Sequence, residues 1–291
     1  MILSVGEILI DSFKSVNSTS ICVGGAPFNV AVAVKRAGGK VGFVGKIGDD
    51  NEGKFILDNV NKYNLDWLEI CILKGHKTTV AEVILDDNGE RHFKFYRDDT
   101  ADFQLELKDV NLDKICPSIL HIGTLMLSED IGRKFALELL GIAKEKGVKI
   151  SIDVNLRDDL FKDKTERNLA LKPFVENADF LKMSLDEMLD YTSQFDLANA
   201  VRSLNCHGVL FVTDGSNGCH IFVGDDGVHI PSKRVEAVDT TGAGDAFWGT
   251  ALAGIDTLLD GGTALTIDSL KEIGKKSNLA GAEAVTHIGA I

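Results

Sequence analysis

The sequence predicts an α/β protein in which a mainly parallel central sheet is flanked by helices, in three layers, and carries a small additional β-sheet. Short apolar runs alternate with amphipathic stretches along most of the 291 residues, which is typical of strands and helices in alternation. The runs are almost continuously apolar, as expected of strands buried on both faces of a parallel sheet. The composition, 44% hydrophobic and 26% charged, fits one large domain, which we expect to span residues 1–291.

The alternation begins with a strand at the amino end and continues in chain order. Pro27 lies where the first turn of a helix tolerates proline, and Gly147 follows a long amphipathic stretch as a helix-ending glycine. From these patterns we predict strands at 2–10, 41–47, 119–122, 148–154, 179–183 and 208–212, and helices at 27–38, 51–62 and 129–146.

Residues 75–100 interrupt this alternation with the pattern of a β-hairpin. Two arms rich in apolar residues flank a turn that contains Asn88-Gly89, and Asn-Gly is a strong signal for a tight turn between strands. Residues 11–23 also lack a helical period and could lie beside the hairpin. We expect residues 11–23 and 75–100 to form a lid over a binding site; a hairpin that merely decorates the sheet edge is the alternative.

The composition and charge exclude several classes of function. The formal net charge is −13, and the chain has no basic cluster, so nucleic acid and anionic membranes are poor candidates for partners. No run of 18 apolar residues predicts a membrane span, and the amino end lacks the features of a signal peptide. The five cysteines form no CxxC pair, and their odd number does not suit a disulfide framework. We therefore expect reduced thiols and a cytoplasmic location.

The most informative segment is Asp-Thr-Thr-Gly-Ala-Gly-Asp at 239–245. A glycine-rich turn here opens an apolar helix, whose first N–H groups and dipole favour an anion. Asp245 places a carboxylate within this anion site, where it would hinder simple phosphate binding. It suits a general base that accepts the proton of an attacking hydroxyl during phosphoryl transfer. The alternative is that Asp245 only stabilises the first turn of its helix.

Two better-known nucleotide motifs do not match the chain. A dinucleotide fingerprint would need a third glycine where Phe247 stands, and it should follow the first strand. A phosphate loop of the Walker type is approached at 48–54, but Phe55 replaces the hydroxyl residue that binds Mg²⁺. Three acidic residues would also line that loop. The sequence therefore excludes both the dinucleotide fingerprint and the Walker-type phosphate loop.

A second glycine turn, Gly-Gly-Ala-Pro-Phe-Asn at 24–29, precedes the first predicted helix and is weak by itself. Together with the segment 239–245 it resembles the two signatures of the ribokinase-like (PfkB-type) sugar kinases. The resemblance covers essentially the whole chain. It implies a ribokinase-like α/β domain with a β-sheet lid, and ATP-dependent phosphorylation of a sugar hydroxymethyl group with Mg²⁺.

The resemblance also implies roles for individual residues. Asp245 resembles the catalytic base, with Gly242, Ala243 and Gly244 as the anion hole. The sugar-binding residues would be Asp11, Gly25 and Asn29. The nucleotide-binding residues would be Lys182, Thr213, Gly215, Gly218 and Asn278. Glu187 would be associated with Mg²⁺ indirectly, and Asp239 and Thr241 stand where many members bind a monovalent cation such as K⁺. Two departures from the family pattern are Asp214, where an apolar residue is commoner, and Ser184, where asparagine is expected.

The identity of the sugar depends on weaker similarities. Arg97 and Arg157 lie in segments similar to those of fructokinases and 2-keto-3-deoxygluconate kinases. Either guanidinium could bind ketose hydroxyls or the carboxylate of an acid sugar, and a structural ion pair is the alternative for each. The segments Gly-Glu-Ile-Leu-Ile-Asp at 6–11 and Phe-Tyr-Arg at 95–97 favour a fructokinase.

Other functions stay open at this point. A 2-keto-3-deoxygluconate kinase or a nucleoside kinase would keep the mechanism and change the acceptor. A non-catalytic sugar sensor would not need Asp245. The expected partners are a small-molecule sugar and ATP, and lid edges could pair between two subunits in a homodimer.

Overall fold

Residues 1–15, 18–85, 91–287 and 289–290 are described by a computed structural model of the chain. The strands are β1 (Ile2–Val5), β2 (Leu9–Ser15), β3 (Ser18–Gly24), β4 (Val41–Gly48), β5 (Trp67–Leu73), β6 (Val80–Leu85), β7 (Arg91–Tyr96), β8 (Ile119–Ile122), β9 (Lys149–Asp153), β10 (Phe180–Ser184), β11 (Val209–Thr213), β12 (Cys219–Val223) and β13 (Asp226–Ile230). The helices are α1 (Ala26–Arg36), α2 (Asn51–Val60), α3 (Leu112–Ile115), α4 (Asp130–Glu145), α5 (Lys164–Asn177), α6 (Leu185–Thr192), α7 (Leu197–Ser203), α8 (Ala243–Asp260) and α9 (Ile267–Ala284).

The central sheet has nine strands in the order β13-β12-β11-β10-β9-β8-β1-β4-β5. Its strands from β11 to β5 are paired in parallel, whereas β12 and β13 form an antiparallel edge. Helices cover both faces, with one apolar cluster beneath α4 and α5 and another beneath α1 and α8. The predicted three-layer α/β fold with a mainly parallel sheet is confirmed.

A separate four-stranded sheet, which we call the lid, has the order β3-β2-β6-β7. Its strands β2 and β6 are parallel, and β2 pairs with β3, and β6 with β7, in antiparallel fashion. The expected additional β layer is therefore present. The predicted turn at Asn88-Gly89 lies outside the described residues. Leu9 and Ala81 of the lid pack against Leu125 of the body, so the lid stands over the carboxyl ends of the central strands.

The prediction of one strand over 2–10 is wrong in one respect. The chain leaves the central sheet after Val5 and enters the lid at Leu9. Gly6 permits this change of direction because a Cβ there would lie 2.7 Å from Cγ of Pro27. The turn delivers Glu7 to the boundary between body and lid.

Helices α1 and α8 pack closely, and this contact brings two candidate site residues together. A Cβ on Gly249 would lie 2.5 Å from Cβ of Ala33, so glycine allows the two helix backbones to approach each other. Both helices begin at the same end of the molecule, under the lid. Their first turns carry Asn29 and Asp245, respectively.

Within the described parts of the chain, we find no helix with the length and apolarity needed to cross a membrane.

Candidate active site

A cavity of about 290 Å³ lies between the lid and the carboxyl ends of the central strands, where open α/β sheets commonly bind ligands. The lid contributes Asp11 and three apolar residues to the lining, and most of the polar groups come from the body. The lining comprises Glu7, Leu9, Asp11, Gly25, Ala26, Asn29, Ala81, Phe95, Leu125, Asp153, Asn155, Arg157, Lys182, Thr240, Thr241, Gly242, Gly244 and Asp245. The volume and the mixed lining suit a small polar molecule.

The amino end of α8 is arranged as an anion site. Gly242 precedes the helix with a left-handed φ of 76°, and no side chain caps the helix end. The first helical bond joins the N–H of Ala246 to the carbonyl of Gly242 at 2.8 Å. Among the described residues, the N–H groups of Gly244 and Asp245 have no hydrogen-bond partner. They are therefore available to an anionic ligand, and the helix dipole favours one.

Asp239 fixes the turn that leads into α8. One of its carboxylate oxygens accepts the N–H of Thr241 at 2.8 Å, and the other accepts the N–H of Gly289 at 2.9 Å. A Cβ on Gly242 would lie 2.5 Å from Cβ of Ala290, so the turn packs directly on the carboxyl-terminal segment. The predicted cation residues Asp239 and Thr241 thus lie together behind the anion site.

Asp245 is the carboxylate at the centre of the cavity. Its Oδ2 accepts a hydrogen bond of 2.8 Å from Nδ2 of Asn29. Burial raises the pKa of Asp245, and the Asn29 bond and the charges of Lys182 and Arg157 oppose this rise. An acid with a raised pKa that faces a binding cavity suits proton transfer.

Lys182 and Asp153 form a buried ion pair beside the anion site. They are register partners on β10 and β9, and Nζ of Lys182 donates to the two carboxylate oxygens of Asp153 at 2.8 and 3.0 Å. Burial works against the charged form of Lys182, but Asp153 and Glu187 hold its pKa above the ordinary value. A Cβ on Gly244 would lie 2.9 Å from Nζ of Lys182. A permanent positive charge therefore adjoins the free N–H groups of α8.

The other predicted sugar-binding residues line the same cavity. Asp11 lies on β2 and is buried, and its carboxylate packs so closely on Gly24 that a Cβ there would collide with it. Burial and the nearby charge of Asp245 raise the pKa of Asp11 to about 7, while Arg157 opposes the rise. Gly25 has a φ of 111°, and a Cβ on it would lie 2.5 Å from the carbonyl oxygen of Glu7. At this turn the backbone of Gly25 approaches that of Glu7 so closely that only glycine fits.

The two arginines predicted for sugar binding have different positions. Arg157 lines the cavity. Arg97 does not: its Nε and Nη2 donate to Asp102 at 3.1 and 2.8 Å, and its Nη1 donates to Ser128 at 2.6 Å. The guanidinium is buried in this ion pair, which is the arrangement that the alternative of a structural ion pair expects.

A second cavity, of about 320 Å³, lies on the other side of the α8 amino end. It is lined by four of the five predicted nucleotide-binding residues, Thr213, Gly215, Gly218 and Asn278. The fifth, Lys182, lines the first cavity instead. Both cavities share Thr240 and Gly244. Two ligands bound in them would thus meet at the anion site.

Glu187 is held by the backbone. Its carboxylate accepts the N–H of Ser184 at 2.7 Å and the N–H of Leu156 at 2.8 Å, and with Ser184 it forms a capping box on α6. Burial opposes its ionisation, but Lys182 and these bonds lower the pKa of Glu187. In the described parts of the chain, no group of three or more histidine, cysteine or acidic residues could hold a metal ion.

The sequence patterns missed Glu7 and Asp153 as residues of the cavity. Glu7 interrupts an otherwise apolar run at 2–10, and Asp153 ends another. A single acid at the carboxyl end of a buried parallel strand is the signal that could have identified both.

Comparison with known proteins gives a consistent result. Residues 2–291 match the family described as pfkB family carbohydrate kinase. Fructokinase-2 of Oryza sativa subsp. japonica is 36% identical over 305 residues, which cover 100% of this chain and 90% of the relative. A double-mutant fructokinase of Vibrio cholerae O395, with fructose, ADP and potassium ion bound, superimposes with a TM-score of 0.88 at 28% identity, covering 99% of this chain and 93% of that one. Aminoimidazole riboside kinase of Salmonella enterica, complexed with aminoimidazole riboside and an ATP analog, gives 0.84 at 27% identity, with 99% and 94% covered.

Proposed function

The chain belongs to the pfkB family of carbohydrate kinases and is a sugar kinase, and from this premise we propose that it transfers the γ-phosphoryl group of ATP to a hydroxymethyl group of fructose. The observation that carries the proposal is the junction of the two cavities at Thr240 and Gly244. Asp245 lines the first cavity. Four of the five predicted nucleotide-binding residues line the second cavity. The two reactants would therefore meet at the free N–H groups of α8.

In the proposed reaction, the sugar binds under the lid with Asp11, Gly25 and Asn29 as its polar contacts. Asp245 accepts the proton of the hydroxymethyl group while that oxygen forms a bond to the γ-phosphorus. The bond between the γ-phosphorus and the bridging oxygen breaks, and ADP leaves with the electron pair. The N–H group of Ala243 donates to the carbonyl of Thr240 at 3.4 Å. The free N–H groups of Gly244 and Asp245 and the charge of Lys182 therefore stabilise the transferred group. Asn29 holds one oxygen of Asp245, which leaves the other for the proton.

The residues present fit the metal ions expected for this family. The uncapped end of α8 and Lys182 favour a phosphate chain, and Mg²⁺ would arrive on that chain and neutralise its charge. Glu187, already bound by two backbone N–H groups, would act on the ion indirectly. A monovalent cation such as K⁺ would be held near Asp239 and Thr241, behind the anion site.

The lining of the first cavity has more acidic than basic groups, and the curated relatives are named for the phosphorylation of a neutral sugar. Four carboxyl groups and two cations line it: Glu7, Asp11, Asp153 and Asp245 against Arg157 and Lys182. Lys182 is already paired with Asp153. The curated relatives are fructokinases, so a 2-keto-3-deoxygluconate kinase is less well supported. A nucleoside kinase is the second candidate, since a structural neighbour binds a riboside.

The proposal is tested by ADP release from ATP·Mg²⁺, with K⁺ present, across fructose, 2-keto-3-deoxygluconate, ribose, tagatose, glucose and adenosine. We expect the highest kcat/KM for fructose. A higher kcat/KM for 2-keto-3-deoxygluconate or adenosine would be consistent with the proposed mechanism and would contradict fructose as the acceptor. An acid sugar would also lose its turnover when Arg157 is replaced by Gln, since Arg157 would be its counter-ion.

The substitution Asp11→Asn should raise the KM for the sugar about tenfold or more, because an amide nitrogen replaces one of the two carboxyl oxygens that can accept hydrogen bonds from sugar hydroxyls. The KM for ATP should be nearly unchanged, because Asp11 does not line the second cavity. Initial rates with each substrate varied in turn would measure both constants. Equal increases in the two KM values would place Asp11 outside the sugar site.

We also propose that residues 1–291 act as one domain and form a homodimer through the lid. The strands β3 and β7 are the edges of the lid sheet, and such edges pair readily with another chain. Ile21 and Tyr96 on these strands are each 45% exposed. Sedimentation analysis would test for a dimer, and a monomer at all concentrations would contradict it.

The five free cysteines support a reducing compartment such as the cytoplasm.

A further inference from the structure

Glu7 is an acidic residue of the first cavity to which neither the fold nor the proposed proton transfer assigns a role. It follows β1 at the turn into the lid and is 2% exposed. Its Oε2 is buried and has no hydrogen-bond partner among the described residues. This oxygen packs against Gly123, where a Cβ would lie 2.8 Å from it. The residue nevertheless lines the cavity, so part of its side chain faces the ligand.

An enclosed carboxylate oxygen without a hydrogen-bond partner disfavours the charged form, and protonation of the carboxyl group relieves this cost. The charged groups that act on Glu7 are Asp102, Arg97 and Arg157. Arg97 already donates to Asp102 and Ser128, so its charge is largely compensated. Burial dominates and raises the pKa of Glu7 to about 8. A hydrogen bond from the backbone of Glu7 itself and the two arginines oppose the rise, and Asp102 adds to it. At neutral pH the group is a carboxylic acid.

A neutral carboxyl group can donate a hydrogen bond, which an ionised carboxylate cannot do. In their ionised forms Asp11 and Asp245 can only accept hydrogen bonds from the hydroxyl groups of a sugar. A buried polar group left without a partner lowers stability, so its retention in a ligand cavity indicates a partner that arrives with the ligand.

We propose that Glu7 is a substrate-positioning and specificity residue, which donates a hydrogen bond from its neutral carboxyl group to an oxygen of the bound sugar. The inference rests on the proposed function, because it assigns the ligand of this cavity to the sugar class. Ionisation of Glu7 removes the donor and adds a negative charge to a cavity already rich in carboxyl groups. The affinity for the sugar therefore falls as the pH rises through about 8.

The test compares the native protein with Glu7→Gln and Glu7→Met. Methionine has a similar length and no donor, so the KM for the sugar should rise about 10- to 100-fold, with an unchanged KM for ATP. Glutamine keeps a donor and cannot ionise. Its KM for the sugar should rise less than that of Glu7→Met, and it should lose the increase that the native protein shows between about pH 7.5 and pH 9.5. Glu272→Gln, on the exposed face of α9, is the matched control.

Thermal unfolding separates this role from a structural one. Removal of an unpartnered buried polar group should leave the Tm of Glu7→Met equal to or above that of the native protein. A lowered Tm with a native KM for the sugar would overturn the proposal, as would a native pH dependence in Glu7→Gln. Failure of the proposed function would be seen differently, as the absence of fructose turnover by the native protein. The Glu7 comparison would then use whichever sugar the native protein phosphorylates.

Discussion

Asp245→Asn should lower kcat by about 10²–10⁴ and leave the KM for the sugar nearly unchanged. The substitution removes the proton acceptor and retains the shape of the side chain. The amide can still pair with Asn29, whose Oδ1 is buried and has no partner among the described residues. The variant should therefore fold normally, and the loss should lie in the chemical step. Initial rates of ADP formation at saturating fructose and ATP would measure it.

Asp260→Asn is the matched control, because Asp260 lies on the same helix and is exposed. The native enzyme should also lose kcat as the pH falls, since protonation removes the base. Burial raises the pKa of Asp245, so this loss begins at a higher pH than for an ordinary aspartate. A variant with near-native kcat, or with the native acid limb, would show that Asp245 is not the base.

Lys182→Met should affect both catalysis and stability. Loss of the charge beside Gly244 should lower kcat/KM for ATP by about 10²–10³, as for other groups that stabilise a transferred phosphoryl charge. Loss of the partner of Asp153 should lower the free energy of unfolding by about 3–5 kcal/mol, because a buried carboxylate is left uncompensated. Denaturant unfolding and initial rates would measure the two effects separately.

The double variant Lys182→Met/Asp153→Leu separates the two effects. Replacing both members of a buried ion pair by apolar residues is often tolerated, so the double variant should regain most of the stability. It should not regain the rate, because the positive charge at the anion site is still absent. Recovery of both stability and rate would mean that Lys182 only supports the fold.

The fold was predictable where the apolar pattern is strong. The strand at 119–122 and the helix at 129–146 correspond to β8 and α4 because both have long, regular patterns and clear ends. The strands β5, β12 and β13 were not predicted, since they lie at or next to the two edges of the sheet, where residues are partly exposed and apolar runs are interrupted. The division of 2–10 into two strands depends on the contact of Gly6 with Pro27, which local patterns cannot indicate.

The parts of the candidate site that lie in short sequence motifs were predictable. The turn at 239–245 and the glycines at 24–25 are local, and the structure brings Asp245, Asn29 and Asp11 to one cavity. The position of Arg97 was not predictable, because its guanidinium could equally have faced the cavity or Asp102. The buried pairing reflects the packing of the chain after β7. Glu7 was missed for a similar reason, since its role depends on burial that only the folded chain creates.

The central claim is that this cavity is a catalytic site for sugar phosphorylation, and one measurement tests it most directly. Fructose binding by calorimetry and ADP formation from ATP·Mg²⁺ would be measured on the same native preparation. We predict saturable fructose binding and an ADP formation rate that rises with fructose far above the rate with ATP alone. Fructose binding without any increase in ADP formation would contradict the claim and identify the protein as a sugar sensor on a kinase scaffold.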